Sequence, residues 1–387
     1  MILLNQAGSD IVGTLVWFGV FFVFIVLYPR LMLSQMIWKI EASARKLEAM
    51  SDKANAMAAR KAGDRAKKSV IEEFTDFFVI EPSSLDPFGI VKKIDALIRQ
   101  TEDRFDEFVD SIAGKKNDKE KQELNYSLRA AIGLRQLAKI VRHYVETAKK
   151  FKNLQIAMIV QMQMPIIEKI ADSEFKGAQA FMNSWPIGDS IGPLVAASLM
   201  DKSKVIAEDM VAGSATIEGR KCIILKAKGP EPNLGRIDEA IQNVMKKHKI
   251  ARVVTVDAAQ KLEGEKTGSI AEGVGFAMGG FAMREIIENS LLPLKRPIDG
   301  IAIKVGMEEA LYPMRKEIWE ALPKATEAVR RAVRRARKGE TVLIIGVGNS
   351  SGIPDTRKGL NEIKELVYRV DAKIRQEEEQ QKKGSWI

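Results

Sequence analysis

The chain has 387 residues, of which 61 are lysine or arginine and 51 are aspartate or glutamate, so its formal net charge is +10. At about 150 residues per domain this length predicts two or three units with at least one sizeable core, which excludes a peptide-like or disulfide-stapled scaffold. One cysteine, Cys222, and two histidines, His143 and His248, can form neither an intramolecular disulfide nor a Cys/His zinc cluster, and so low a cysteine count is typical of a reducing compartment.

The first predicted element is a membrane anchor. The run from Ile11 to Tyr28 has no charged residue, and about 20 apolar residues are enough to cross the hydrocarbon core of a bilayer. We predict an uncleaved single-pass helix rather than a signal peptide, because no basic residue precedes Arg30 and no small-residue cleavage site follows the run.

Basic residues follow the anchor and predict its orientation. Between Arg30 and Lys68 there are ten basic and four acidic residues. By the positive-inside rule the N-terminus lies outside the cell membrane and the rest of the chain lies in the cytoplasm. We interpret these residues as a solvated helix face that contacts anionic lipid head groups, and prefer this interpretation to nucleic-acid binding.

An α-helical membrane-proximal bundle is predicted for residues 30–184. The segment 31–78 is rich in Ala, Met, Lys and Glu and contains no proline, which favours helix. Helices are expected over 31–78, 90–112, 120–164 and up to 183, with a break at 81–89 and a kink or restart at Pro165. A methionine stripe at Met158, Met162 and Met164 is predicted to pack in the core.

After Trp185 the pattern changes to alternating strands and helices, which is typical of a three-layer α/β domain with a largely parallel sheet. This domain is expected over 185–361, followed by a C-terminal helix and tail over 362–387. Strands are predicted at 214–218, 221–227, 252–256, 301–305 and 342–345, with helices at 237–247, 284–292 and 309–337. The run Val-Val-Thr-Val-Asp at 253–257 is apolar on both faces and predicts a central strand.

Three segments could carry chemistry, because ligands of open α/β sheets bind beyond the carboxyl ends of the strands. PIGDSIGP at 186–193 places Asp189 near the start of a helix, where the helix dipole favours the ionised carboxylate. The second segment places Asp257 at the exit of the most convincing strand. The third, LIIGVGNSSG at 343–352, is a strand that enters a glycine turn. Each signal alone is weak, since aspartate often caps a helix and this turn lacks both a Walker lysine and a third Rossmann glycine.

Together the three segments resemble a known group of proteins. GDSIGP before an apolar helix, VDA at the end of one strand and LIIGVGN at the end of another look like the motifs of the phosphorylase/hydrolase-like proteins. That group includes bacterial spore-germination protease and the hydrogenase-maturation endopeptidases, and the order of the motifs here is that of a circular permutation. The whole chain, with its anchor, resembles an uncharacterised archaeal family of membrane proteins.

The resemblance implies that Asp189 and Asp257 form an acidic pair. One carboxyl of such a pair stays protonated and acts as an acid, while the other activates water on a peptide carbonyl, so no metal ion or cofactor is expected. The residues implied to hold a substrate carbonyl or oxyanion are Gly188, Ser190, Gly192, Gly346, Gly348 and Asn349. The competing interpretation is that the glycine turn merely closes a strand against a helix.

Two groups of charged residues have several interpretations. The helix at 324–338 carries five arginines, namely Arg330, Arg331, Arg334, Arg335 and Arg337. They could form a solvated or inter-subunit surface, contact anionic lipid, or bind nucleic acid, although no aromatic residue lies between them for base stacking. Three acids near the glycine-rich loop, Glu263, Glu265 and Glu272, could bind a cation or stay solvated.

The sequence therefore predicts a membrane-tethered cytoplasmic hydrolase, an endopeptidase of the aspartic type with a peptide or protein substrate. The alternative is a non-enzymatic homo-oligomer that serves as a membrane scaffold or binding module. The long helices favour this alternative, as does the scarcity of other residues with catalytic chemistry.

Overall fold

The computed structural model describes residues 2–63, 68–77, 90–275 and 296–384. Its contacts divide the chain into two compact units. The first unit is Met1–Lys53 with Leu134–Ala171, and the second is Ala54–Gly133 with Asp172–Ile387.

Helices make up the N-terminal half of the described chain, as the sequence predicts. They are α1 (Ile2–Ala62), α2 (Lys68–Phe77), α3 (Ile90–Ala113), α4 (Asp118–Phe151) and α5 (Leu154–Met182). The part of α1 from Leu15 onwards is long and apolar enough, by length and composition, to cross a membrane. The predicted break at 81–89 lies outside the described residues.

The interruption between α4 and α5 lies at Lys152 and Asn153. Lys152 has a φ of +48°, a left-handed conformation that ends α4. The side-chain oxygen of Asn153 accepts the Ile156 N–H at 3.1 Å and so caps the start of α5. Because α5 continues through Pro165, the predicted restart at that proline is wrong.

Apolar residues at helical spacing hold α1 in the first unit. Three of them on α1 are fully buried, namely Ile40, Ala44 and Leu47. On α5, Met164 is also buried, whereas Met158 and Met162 are exposed. The predicted packing of the methionine stripe is therefore correct only for Met164.

Ion pairs align α4 and α5 with α1 in the same unit. Arg142 of α4 lies 2.8 Å from Glu41 and 2.7 Å from Glu48. Glu168 of α5 lies 2.6 Å from the amine of Lys46. Arg142 and Glu168 therefore contact the same stretch of α1, between Glu41 and Glu48.

A seven-stranded sheet forms the core of the C-terminal half, in the order β1-β2-β3-β7-β4-β6-β5. The strands are β1 (Ser203–Ala207), β2 (Met210–Ile217), β3 (Arg220–Ala227), β4 (Ile250–Gln260), β5 (Ile270–Val274), β6 (Ile298–Val305) and β7 (Thr341–Gly346). The four central strands, β3, β7, β4 and β6, are parallel, and the pairings at both edges are antiparallel. The sheet is thus mixed, and the prediction of a largely parallel sheet applies only to its centre.

Helices cover both faces of this sheet. They are α6 (Ile191–Ser198), α7 (Ile237–Lys247), α8 (Met307–Leu311), α9 (Lys316–Trp319), α10 (Leu322–Arg334) and α11 (Leu360–Gly384). On one face α6 and α10 pack with Ile224 and Ile344, and on the other face α7 packs with Ile223 and Leu343. Successive side chains of a strand point to opposite faces, so β3 and β7 supply both cores.

One predicted helix, 309–337, is interrupted twice. Pro313 forms an isolated antiparallel bridge with Ile187, and the N–H of Met314 donates to the carbonyl of Pro186 at 2.7 Å. These contacts end α8 and tie the connection between α8 and α9 to the segment just before Asp189. The predicted helix at 284–292 lies outside the described residues.

Candidate functional site

Asp189 lies in a short 3₁₀ turn, Gly188–Ser190, that leads directly into α6. Gly192, in the first turn of α6, lies against two other segments of the domain. A Cβ atom on Gly192 would be 2.0 Å from the carbonyl oxygen of Val347 and 2.6 Å from that of Val256. No side chain fits such a close approach, so glycine at this position allows α6 to begin beside the end of β7 and Val256 of β4.

Residues 347–349, here called the glycine turn, contact Asp189 directly. The N–H of Asn349 donates to Oδ2 of Asp189 at 2.7 Å. Gly348 has a φ of +118°, and a Cβ atom there would be 2.2 Å from the carbonyl oxygen of Asp189. The left-handed backbone and the close approach both require glycine at this position.

Asp257 lies on β4 beside the same turn, because the N–H of Val347 donates to the carbonyl of Val256 at 2.9 Å. Asp257 is buried, with only 2% of its surface exposed. The prediction that Asp257 ends the strand is wrong, since pairing with β6 continues β4 to Gln260. β7, however, ends at Gly346 opposite Val256, so Asp257 is the first residue of β4 beyond the end of β7.

Burial sets the electrostatics of Asp189. It raises the pKa of this carboxyl above its ordinary value, while the hydrogen bond from the N–H of Asn349 lowers it. Burial therefore opposes the helix-dipole effect that the sequence led us to expect. A carboxyl with a raised pKa retains its proton more readily, as the acid of an acidic pair must.

Several groups expected to hold an oxyanion form hydrogen bonds within the protein. The N–H of Gly188 donates to the carbonyl of Tyr312 at 3.0 Å, and the hydroxyl of Ser190 donates to the carbonyl of Ser351 at 3.2 Å. The side-chain oxygen of Asn349 accepts the N–H of Ser351 at 2.9 Å. These bonds order the glycine-rich segments, and a role for them in substrate binding stays a prediction.

Sequence reasoning missed a buried ion pair at the same end of the sheet. Lys226, on β3 opposite Gly346 of β7, is fully buried, and its amine lies 2.9 Å from Oδ1 of Asp355. The N–H of Gly229 donates to the same oxygen at 2.8 Å. Burial lowers the pKa of Lys226. The one available signal was a lysine inside the otherwise apolar run Ile-Ile-Leu-Lys-Ala at 223–227.

Two family models match nearly the whole chain. Residues 14–184 match the N-terminal domain of a protein of unknown function (DUF1512), and residues 187–354 match the C-terminal domain of the same family. The chain belongs to the DUF1512 family. The expected membership of an uncharacterised family is confirmed, whereas an archaeal source and the likeness to germination protease stay predictions. No curated protein and no solved structure matches the chain.

The candidate site belongs to the C-terminal domain of the DUF1512 match. Asp189, Asp257 and the glycine turn all lie in the C-terminal domain, 187–354, and Asp355 is the residue immediately after it. The N-terminal match contains most of the apolar run and the helices α2 to α5.

The arginines of α10 in this DUF1512 chain have acidic partners on neighbouring elements. The pairs are Arg330 and Arg334 with Glu218, Arg331 with Glu272, and Arg335 with Asp299 and Glu272. These contacts neutralise much of the positive charge of the helix, which favours the solvated or inter-element interpretation over a surface that binds phosphate.

Two of the three loop acids are also paired. Glu265 accepts a hydrogen bond from Lys304, which lowers its pKa, and Glu272 pairs with Arg331. Among the residues that the structure describes, no group of three or more His, Cys, Asp or Glu side chains could hold a metal ion.

Proposed function

We propose that this DUF1512 protein is a membrane-tethered hydrolase on the cytoplasmic face of the cell membrane, with Asp189 and Asp257 as its acidic pair. The observation that carries the proposal is the glycine turn, which donates one N–H to the Asp189 carboxyl and another to the residue before Asp257. These two hydrogen bonds bring Asp189 and Asp257, which are 68 residues apart in the sequence, to the same end of the sheet. Ligands of open α/β sheets bind at this end.

The proposed chemistry requires the carboxyls of Asp189 and Asp257 to lie close together in a place with little water. Close carboxylates cannot both ionise at low cost, so one keeps its proton. We assign the proton to Asp189, whose pKa is raised by burial, and the water-activating role to Asp257. The protonated acid polarises a peptide carbonyl or protonates the leaving nitrogen, while the carboxylate takes a proton from water. Peptides or proteins at the membrane are the proposed substrates.

The tether is α1, whose charge-free run would cross the bilayer once with its N-terminus outside. The ion pairs of Arg142 and Glu168 align α4 and α5 with α1. Counting along the helices from these pairs, at a rise of about 1.5 Å per residue, puts the turn between α4 and α5 beside roughly residues 32–36 of α1. Phe151 at this turn is 66% exposed and is flanked by the exposed Lys150 and Lys152. An aromatic ring between cationic side chains suits the head-group layer of an anionic membrane.

Hydrolysis by purified full-length protein in detergent tests the proposal. Unfolded casein and a peptide library are incubated with the wild type, Asp189→Asn, Asp257→Asn and the control Asp201→Asn. Asp201 is 64% exposed and pairs with Arg357 on the surface, so its variant should keep full activity. Loss of one general acid or base typically lowers the rate by about 10²–10⁴-fold, which we expect for the first two variants. Full cleavage by both variants, or no cleavage by the wild type, would overturn the acidic pair.

A second candidate function, an oligomeric membrane scaffold, is favoured by one apolar surface in the first unit. Tyr144 on α4 and Ile159, Met162 and Ile166 on α5 are exposed, beside a groove of about 280 Å³ between the two helices. Clustered exposed apolar side chains commonly mark an interface, and a second copy of the chain would cover this one.

Light scattering of the detergent-solubilised chain separates the two candidates. The scaffold proposal expects an oligomer that Met162→Glu converts to a monomer, whereas the control Met307→Glu, at another exposed apolar position, leaves it assembled. A monomeric wild type would contradict the scaffold and leave the hydrolase proposal untouched.

A further inference from the structure

A basic cleft opens at the edge of the sheet, away from the acidic pair. It lies between β1, β2, β3 and the C-terminal end of α7 and has a volume of about 680 Å³. Lys221 on its wall pairs with Thr341 at the start of β7, whereas the glycine turn follows the end of β7. The cleft is therefore near the amino ends of the parallel strands, and the candidate hydrolytic site is at their carboxyl ends.

The lining of this cleft carries one sign of charge. Its charged or titratable side chains are Lys202, Lys204, Lys221, Lys247 and His248, and no aspartate or glutamate lines it. All four lysines are exposed. None of them has an ion pair with an acid among the residues that the structure describes.

The cleft differs in this respect from the arginine-rich end of α10, where acidic partners are present. Three arginines of α10 and Arg335, which follows the helix, lie against Glu218, Glu272 and Asp299, so their charge is compensated within the protein. In the cleft, like charges are gathered from three elements without compensation. A concave surface of one charge sign concentrates ions of the opposite sign.

His248 reports how closely these charges converge. It follows α7 directly, and its pKa is lowered by burial and by the nearby positive charges of Lys221 on β3, Lys204 on β1 and Lys247 on α7. Three lysines from three separate elements therefore act on one imidazole, which is the arrangement needed to surround an anion with several positive charges.

We propose that this basic cleft binds a small organic polyphosphate of nucleotide size. Its volume lies within the roughly 300–1,000 Å³ typical of small-molecule sites. Lysines are point-charge ligands for phosphate oxygens, and the hydroxyl of Ser214 can donate to the same oxygens. The apolar side chains Ile206 and Val244 offer a surface for the base or another organic group. The lining has no Phe, Tyr or Trp on which successive bases of a nucleic-acid strand could stack.

Histidine NMR on the full-length chain in detergent tests this site. With His143→Gln, His248 is the sole histidine, so its imidazole resonance titrates without overlap. ATP and inorganic tripolyphosphate, added at low ionic strength, should raise the pKa of His248 by about one unit, because a bound anion favours the imidazolium. The double variant Lys204→Ala/Lys221→Ala should bind ATP at least tenfold more weakly by calorimetry. Its matched control, Arg330→Ala/Arg334→Ala, removes two paired surface arginines and should bind as the parent does.

Three outcomes would overturn the proposal. The first is a His248 resonance that millimolar ATP does not shift, and the second is equal ATP affinity in the lysine variant and its parent. The third is a stronger preference for another source of anions. A single-stranded oligonucleotide could displace ATP at a lower phosphate concentration, or nanodiscs with phosphoinositide could shift the His248 resonance when ATP does not. All of these readouts are independent of hydrolysis, so they stand whether or not the acidic pair is active.

Discussion

Oδ2 of Asp189 accepts the backbone N–H of Asn349 at 2.7 Å, across 160 residues of sequence. The bond joins the turn that starts α6 to the turn that ends β7. This bond forms whether or not Asp189 holds its proton, and it is charge-assisted and stronger when the carboxyl is ionised. The position of the Asp189 carboxyl therefore depends on the backbone of the glycine turn.

Replacement of Gly348 by alanine should displace Asp189. The added Cβ would be 2.2 Å from the Asp189 carbonyl oxygen, and the φ of +118° is unfavourable for any side chain. We expect a loss of stability that exceeds the roughly 1–3 kcal/mol of backbone strain alone. Gly339→Ala is the control, because Gly339 has a φ of +84° and no atom within 4 Å of its Cβ position. Chemical denaturation followed by circular dichroism measures both, and equal losses would contradict the close contact.

Glu174 should make stability depend on pH. It lies on α5 against Gly133 of α4, and burial raises its pKa from 4.5 to about 7. In the unfolded chain the carboxyl loses its proton near pH 4.5, but in the folded chain it does so near pH 7. The folded state is therefore destabilised as the pH rises through this window, by at most about 3.5 kcal/mol at about 1.4 kcal/mol per pKa unit.

Glu174→Gln removes this ionisation. The variant should unfold at a higher temperature than the wild type at pH 8, with a much smaller difference at pH 5. Glu107→Gln is the control, because Glu107 is 69% exposed and pairs with Arg104 on the surface. A difference between Glu174→Gln and wild type that is the same at both pH values would show that Glu174 ionises normally.

The buried pair of Lys226 and Asp355 should be asymmetric to mutation. Asp355→Ala leaves a fully buried ammonium without its partner, and breaking such a pair typically costs about 3–5 kcal/mol. Lys226→Met should cost less, because it removes the buried charge and leaves the hydrogen bond between Gly229 and Asp355 in place. Equal losses of unfolding free energy in the two variants would refute the asymmetry.

An exposed ion pair calibrates this measurement. The carboxyl of Glu317 lies 2.7 Å from Arg375, and the two side chains are 38% and 45% exposed. Glu317→Ala should therefore change the free energy of unfolding by less than about 1 kcal/mol.

The turn between α4 and α5 should lie at the membrane surface. In a Cys222→Ala background, Phe151→Cys and Ile140→Cys are labelled with an environment-sensitive fluorophore and reconstituted in nanodiscs with anionic lipid. Ile140 is exposed on α4, about 16 Å from Phe151 at about 1.5 Å per residue. The label at 151 should be quenched by spin-labelled lipid and the label at 140 should not. No quenching at 151 would place the turn away from the bilayer, and equal quenching at both positions would contradict a surface position for the turn alone.

Much of the fold follows from local patterns in the sequence. The predicted strands at 214–218, 221–227, 252–256, 301–305 and 342–345 each coincide with an observed strand, because apolar runs between turn residues report buried strands directly. The edge strands β1 and β5 were missed. They are short and largely exposed. Backbone pairing alone makes them strands, and their sequences lack the alternating apolar residues that would predict a strand.

Other features depend on partners that are distant in sequence. Pro165 continues a helix while Lys152 ends one, because the cap at Asn153 determines the boundary and the proline lacks only one backbone donor. In the candidate site, the pair of Lys226 and Asp355 exists only through the alignment of β3 with β7. Asp189 and Asp257 both lie beside the glycine turn, and their role as an acidic pair stays a prediction. The length of β4 beyond Asp257 depends on its pairing with β6.

The proposed hydrolase requires that Asp189 and Asp257 share one environment and one proton. Carbon-13 NMR of the aspartate carboxyls measures it directly, with Asp189 assigned from Asp189→Asn and its pKa compared between wild type and Asp257→Asn. We predict a pKa of Asp189 above the ordinary 3.8 in the wild type and a lower value in Asp257→Asn, since removal of a neighbouring negative charge favours ionisation. An identical pKa of Asp189 in both proteins would contradict the shared site, and the hydrolase proposal with it.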